Sequence, residues 1–531
     1  MKRTFLFFIY IFLYVASLFS GEIVVGSLVV NRLDGNPLGI NINTYVDDDK
    51  TTKAPKKLSA ALREMGVRYL RYPGGDKADH ILFSVPPYHV AKPTPARQGK
   101  GAEYLREGFL NATETDFKYD PLDFDEFMTV CREAGCEPVI VVPADLYKLV
   151  KNMKTGEPLY DYKGEALEVE KNREFLIEHA AAWVYYANVK KNYNVKYWII
   201  ANETEVAYYD GYVEDVPGDF PGKKGTVACT PEDYARLLID FSAAMKEVCP
   251  SIEIISNGAA WSVESYLKIP GVVEAIDHIC TSNYPLMSYP EGSNYETWAQ
   301  KKYKNGVMTG PMDEILAKIN ANAKAKEKGL DVWASEFNAM YGSWEGGFDL
   351  GHALANIDII GQILQNPRFG KLFFWNTHWG GGFSGTGELP MFGAYDGLFP
   401  NNEMSPKGFS VSMVANHLFP QIVQTRISGT YDGVMAYASR SEDNKEVYLY
   451  VINTKDTDEN MDLKITNRKI KEIKRVSEMY GDTPTKGDWY PGWDYKKDMP
   501  VMTHQAETVE GESLSLKKYS ASVYHIRIRF I

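Results

Sequence analysis

Short, apolar-rich runs recur along the chain at 39–43, 68–72, 138–142, 197–201, 252–256, 278–282, 332–335 and 372–375. A strand buried on both faces reads as a continuous apolar run, whereas a half-exposed strand alternates. Longer segments of helical periodicity lie between them, among them 173–190, 231–248 and 312–328. In 231–248, Thr230 is placed to cap the helix, Pro231 suits its first turn, and Glu232 and Asp233 complement its positive end. Eight buried strands alternating with helices over residues 31–405 predict a (β/α)8 TIM barrel with long βα loops. An open doubly wound sheet fits less well, because no Gly-rich phosphate turn follows the first strand.

The texture changes over residues 406–531. Past residue 425 no long helical pattern remains, and short strands are predicted at 446–452, 461–465 and 522–530. In the last of these Tyr524, Ile526, Ile528 and Phe530 alternate with Val523, His525, Arg527 and Arg529, a period of two. This predicts a C-terminal antiparallel β-sandwich over 406–531 with one solvated face. Residues 21–30 are strand-like and are expected to join it. No internal repeat or low-complexity linker is evident.

Lys2 and Arg3 precede an apolar run from Phe5 to Phe19, followed by the small residues Ser20 and Gly21. That order reads as a secretory signal over 1–20. The run is short for a membrane span of roughly 20 residues, and no Cys at its end supports a lipid anchor. An exported protein, secreted or periplasmic, without membrane attachment after processing is the expectation.

Composition then narrows the class. With 531 residues, 44% hydrophobic and 24% charged, the chain is globular and too long for one core. Its net charge of −12 becomes −14 without residues 1–20, which repels phosphate backbones and anionic lipid. Nucleic acid and membrane surfaces are therefore not expected as partners. Five cysteines at scattered positions (131, 136, 229, 249, 280) read as buried free thiols rather than a disulfide framework or zinc site. Nine His form no metal-ligand pair at helical spacing, so neither metal nor cofactor is predicted. The acidic run Asp47-Asp48-Asp49 is expected in a solvated loop rather than at a calcium site. Aromatics make up 13% of the chain, which suits ring stacking against sugars.

Two carboxylates stand where barrel strands end. The run Tyr197-Trp198-Ile199-Ile200-Ala201 leads into Asn202-Glu203, and Val332-Trp333-Ala334-Ser335 leads into Glu336. A carboxylate at the end of an apolar strand is costly to bury without a purpose, and barrel chemistry sits at that end.

Asn202-Glu203 on the fourth strand with Glu336 on the seventh resembles the clan A retaining glycoside hydrolases. Arg71-Tyr72-Pro73-Gly74-Gly75 on the second strand resembles the α-L-arabinofuranosidase branch, as does the helix-to-strand segment 124–143. The resemblance implies that Glu203 is the general acid/base and Glu336 the nucleophile, roughly 5–5.5 Å apart across the glycosidic bond. It further implies that Asn202 bonds the sugar 2-hydroxyl, Arg71 keeps Glu336 ionised, Tyr284 hydrogen-bonds the nucleophile and Trp375 floors the −1 subsite. Asp76 stands where that branch usually has Asn, and is a candidate substrate contact. Gly74-Gly75-Asp76-Lys77-Ala78-Asp79 and Glu336-Phe337-Asn338-Ala339-Met340-Tyr341-Gly342 are similar to the heparanase and β-glucuronidase branch. That similarity would cast Tyr341 and Gly342 as contacts to a uronate, with Lys77 as its cation.

The expected protein is an exported retaining glycosidase acting on plant or algal poly- or oligosaccharide, arabinofuranosidase-like. The alternatives are a uronate-directed glycosidase and a non-catalytic polysaccharide-binding protein on the same scaffold. The Gly- and aromatic-rich segment 379–402 is expected to wall the subsites.

Overall fold

Eight short parallel strands close into a barrel in the computed structural model. It describes residues 21–102, 109–152, 155–204, 229–286, 295–301, 306–339, 350–378, 397–399, 401–428, 433–485 and 499–530. In chain order the barrel strands are Leu38–Asn41, Tyr69–Tyr72, Glu137–Val142, Tyr197–Ile200, Glu253–Asn257, His278–Asn283, Val332–Phe337 and Phe369–Phe374. Leu372 of the eighth pairs with Leu38 of the first and closes the ring. The fourth and seventh strands are buried along their whole length, which is why they read as unbroken apolar runs. Val139, Val141, Ile199, Ile255, Cys280, Trp333 and Phe373 fill the interior, so the barrel is a packed core and not a pore.

Local chemistry sets the helices around it. Pro231–Val248 starts at Thr230, whose hydroxyl accepts from the Asp233 N–H while Asp233 accepts from the Thr230 N–H. Phe124–Ala134 uses the same device with Asp123 and Glu126, and ends on Gly135 at φ 76°. Two segments depart from the sequence reading. The segment 173–190 is an α-helix, Val169–Val184, continued by a π-helical turn, Tyr185–Lys190. The segment 312–328 breaks into Gly310–Ala321 and Ala323–Lys328, because Asn322 leaves the helix and its side chain caps the second piece at the Ala325 N–H.

The C-terminal sheet is antiparallel throughout except for one pair. Gly21–Arg32 runs antiparallel to Gln421–Ser428 and parallel to Glu459–Ile465, which ties the start of the described chain into the second unit. The helix Pro406–Ala415, which the sequence had allotted to this unit, packs against the barrel helices Leu350–Leu364 and Leu58–Met65. The first sandwich strand after it begins at Gln421.

The expectation of one solvated face holds for only part of the sheet. In Ser520–Phe530, Tyr524, Ile526 and Ile528 enter the sandwich core, while Ala521 and Val523 join the core shared with the barrel. Bonds across the junction agree: Tyr437 donates to Asp358, Asn31 to the Leu364 carbonyl and Tyr295 to the Thr454 carbonyl. Phe530 breaks the alternation; it is exposed, with the Arg468 guanidinium 3.7 Å above its ring.

All five cysteines are free thiols. Among the described residues no helix is long and apolar enough to cross a membrane.

Candidate active site

The second strand delivers Arg71 to the top of the barrel, and the turn after it is shaped by two glycines. Gly74 has φ 105°, and a Cβ there would lie 1.7 Å from the Ile42 carbonyl oxygen. Gly75 has φ 54°, and a Cβ there would lie 2.1 Å from the Trp375 ring. Only glycine lets this backbone run flat against the indole. The one-turn helix Gly75–Asp79 follows, and its Lys77 ammonium sits 2.9 Å from Asp76 and 5.8 Å over the Trp375 ring. Lys77 is 2% exposed and Asp76 32%, so the acid is the more accessible partner of the pair.

Arg71 is buried and joins three strands. Its Nη1 donates to Asn41 Oδ1 at 2.7 Å and to Glu336 Oε1 at 3.0 Å, and its Nη2 donates to Asn202 Oδ1. Asn41 is itself fixed by donating to the Ser335 and Phe374 carbonyls at 3.0 and 3.3 Å. The other oxygen of Glu336 accepts from the Tyr284 hydroxyl at 2.8 Å. Glu203 accepts from Ser282 Oγ.

These bonds divide the two carboxyls. Glu336 receives a cationic and a phenolic donor, whereas Glu203 receives one neutral hydroxyl. Burial first, then the charge of Glu203, pushes Glu336 up to about 8, against the pull of Arg71 and Tyr284. Burial also raises Glu203, opposed by Ser282 and Arg71 and reinforced by the Asp76 charge. Two carboxyls that repel each other titrate as a pair, and the pair retains one proton near neutrality. The first negative charge belongs on Glu336, where the two strong donors point, and the retained proton belongs on Glu203.

The structure thus brings together Arg71, Asn202, Glu203, Tyr284 and Glu336, with Asp76 and Trp375 at the edge. Asn202, expected to bond the sugar 2-hydroxyl, has its carboxamide oxygen engaged by Arg71. Tyr341 and Gly342 lie outside the described residues, as does most of the segment 379–402.

The acidic run is not a solvated loop. Asp47 is buried, accepting from Thr377 and the Asn43 N–H and facing His378 Nδ1 at 2.7 Å, while Asp48 caps a short helix. Three polar residues escaped the sequence reading: Asn41, Asn257 and, as a direct partner of Glu203, Ser282. Each stands at or near the end of an apolar strand, a place where amides and hydroxyls are too common to stand out as a glutamate does. Among the described residues no group of three or more His, Cys, Asp or Glu is placed to hold a metal ion.

The barrel-plus-sandwich architecture is shared with known proteins. The chain superposes on the crystal structure of the α-L-arabinofuranosidase of Thermotoga maritima in complex with arabinose. The TM-score is 0.66 at 17% identity, over 96% of this chain and 100% of that one. CelM2, a bifunctional glucanase-xylanase from a metagenome library, gives 0.59 at 12% identity, over 96% and 99%. In sequence, Alpha-L-arabinofuranosidase C of Emericella nidulans is 26% identical over 220 residues, which are 38% of this chain and 32% of that protein. The chain therefore spans about a third of the length of that curated relative. No family model matches.

Proposed function

We propose that this chain is a retaining glycoside hydrolase of arabinofuranosidase type, acting on poly- or oligosaccharide by double displacement. The observation that carries the reading is the unequal treatment of two interacting carboxyls: Arg71 and Tyr284 on Glu336 and, among the described residues, Ser282 on Glu203. Ionised Glu336 attacks the anomeric carbon while Glu203 passes its proton to the leaving oxygen, so the glycosidic bond breaks as the glycosyl ester forms. Glu203, now a carboxylate, takes a proton from water. The resulting hydroxide equivalent attacks the anomeric carbon, releases Glu336 and returns both residues to their starting states.

A neutral sugar suits the rim better than a uronate. The Lys77 ammonium over Trp375 already has Asp76 as counter-ion, and Asp76 adds negative charge near Glu203. The matched arabinofuranosidases agree with this choice in kind. Plant or algal polysaccharide as the natural source, and export directed by residues 1–20, complete the proposal.

The test is a panel of aryl α-L-arabinofuranosides, β-xylosides and β-glucuronides, with Glu336→Ala as control. Turnover of the arabinofuranoside, lost by at least about 10⁴-fold in the variant, is expected. Turnover of the glucuronide alone would replace the sugar assignment. No turnover of any glycoside, with retained polysaccharide binding, would replace the enzyme by a binding protein. Mass spectrometry of the secreted product, starting near Gly21, tests export.

A further inference from the structure

The backbone that presents Glu203 is bent in a way its sequence does not favour. Ala201 has φ 65° and Glu203 φ 41°, both in the left-handed region that non-glycine residues avoid. Such a turn persists only where its surroundings hold it from outside. Here the Asn257 side chain holds the backbone of the turn from the neighbouring strand. The Asn257 amide nitrogen donates to the Ile200 carbonyl at 2.8 Å and the Ala201 carbonyl at 2.9 Å. Its amide oxygen accepts from the Thr204 N–H at 3.0 Å and the Thr204 hydroxyl at 2.9 Å. The carboxamide therefore grips the chain on both sides of Asn202-Glu203. Its two ends are not interchangeable, since carbonyls face the NH2 and donors face the oxygen. The Tyr234 hydroxyl steadies the arrangement by accepting from the Asn257 N–H at 3.0 Å and donating to the Ile200 carbonyl at 2.7 Å.

We propose that Asn257 is the positioning residue for the acid/base, setting where the Glu203 carboxyl stands relative to the leaving oxygen without touching substrate. The inference rests on Glu203 acting as proton donor, as proposed above. It deepens that reading by assigning the strained turn a function: the nucleophile is fixed by side-chain donors, and the acid is fixed through its backbone.

The experiment compares phenyl and 2,4-dinitrophenyl α-L-arabinofuranosides on wild type and Asn257→Ala. A poor leaving group needs the proton in the transition state and a good one does not. The expected result is a loss in kcat/KM of about 100-fold for the phenyl glycoside and less than about fivefold for the dinitrophenyl one. Hydrolysis of the glycosyl ester also needs Glu203 as base, so azide, which needs none, should raise kcat of Asn257→Ala on the dinitrophenyl substrate. Equal losses on both substrates without azide rescue would overturn the proposal and leave Asn257 a structural residue; no loss would overturn it outright. Should Asn257→Ala fail to fold, Thr204→Val removes one of the four bonds and should show the same leaving-group split at about fivefold to tenfold. An absent split there would be equally fatal. If wild type turns over neither arabinofuranoside, the sugar assignment fails first, and the same two leaving groups on the sugar the panel identifies decide the role of Asn257.

Discussion

At the end of the barrel where strands begin, Lys371 lies among the rings of Tyr69, Tyr197 and Trp333, its ammonium 4.8, 4.3 and 4.2 Å from their centroids. Around this plug His278 bridges Asp331 and Glu253, and Glu253 also binds Lys196 at 2.8 Å. At the end where strands finish, Glu203 and Glu336 repel one another and share the field of one buried cation, Arg71. Burial would raise Glu253 at the lower end, but Lys196 and His278 outweigh it and the carboxyl falls. Acids at the upper end are raised. Both ends bury charge in the same fold, yet one neutralises it in pairs with π faces while the other keeps one proton on a pair of mutually repelling acids. The upper end carries the raised acids on which the proposed proton and glycosyl transfer rests, at some expense in stability.

The largest expected effect that separates the ends is on turnover. Glu203→Gln should lower kcat/KM on a phenyl glycoside by about 10²- to 10⁴-fold while leaving the melting temperature at or above that of wild type. A variant within about threefold of wild type would remove the acid/base assignment, and a large loss of stability would erase the contrast between the ends. Arg71→Met comes next. Without the guanidinium the Glu336 carboxyl rises further, so the acid limb of the pH–rate profile, which follows Glu336 ionisation, should move to higher pH. An unmoved limb would mean that Arg71 does not govern the nucleophile.

Lys371→Ala tests the lower end alone. Three cation–π contacts and the packing of the lysine stem are lost, for about 2 kcal/mol of stability by chemical denaturation, with kcat unchanged within about twofold. A matching fall in kcat would show that the two ends are coupled through the barrel core.

The contrast explains which parts of the molecule were legible in the sequence. The barrel strands stood out because burial on both faces removes polar residues, so a glutamate at a strand end is conspicuous. Arg71, Tyr284 and Trp375 entered through the family resemblance that the pair and the strand-two motif carry. Asn41, Asn257 and Ser282 did not, because amides and hydroxyls at strand ends are common and reveal their partners only once strands from distant parts of the chain are adjacent. Asp47 was hidden for a related reason. Its partners Thr377 and His378 lie some 330 residues away and meet it only when the eighth strand closes against the first. The Asn322 break shows the local limit: an apolar period that continues through a capping residue does not reveal that the helix restarts there.

The smallest effect concerns the dependence of stability on pH, and it bears on both ends. An unperturbed glutamate titrates at 4.5, whereas burial and the charge of Glu203 push the value at Glu336 up to about 8, a rise that belongs to the Glu203–Glu336 pair and its one retained proton. Between those values the folded pair holds a proton the unfolded chain has lost, so the pair makes stability fall as pH rises. Below 4.5 both states are protonated and its contribution is complete. His278 acts in the same direction. Burial would lower it, but Asp331 and Glu253 raise it above 6.5, so its contribution is present at low pH and lost on passing its folded value. Only the upper contribution is removed in Glu336→Gln. The two melting curves should therefore coincide near pH 4 and diverge toward pH 8, with the variant the more stable. The gap should be on the order of 1 kcal/mol, because the neutral amide leaves Arg71 without its counter-ion and offsets part of the relief. Parallel curves across that range would place the pH dependence at the His278 end and leave the acid pair at the top unstrained.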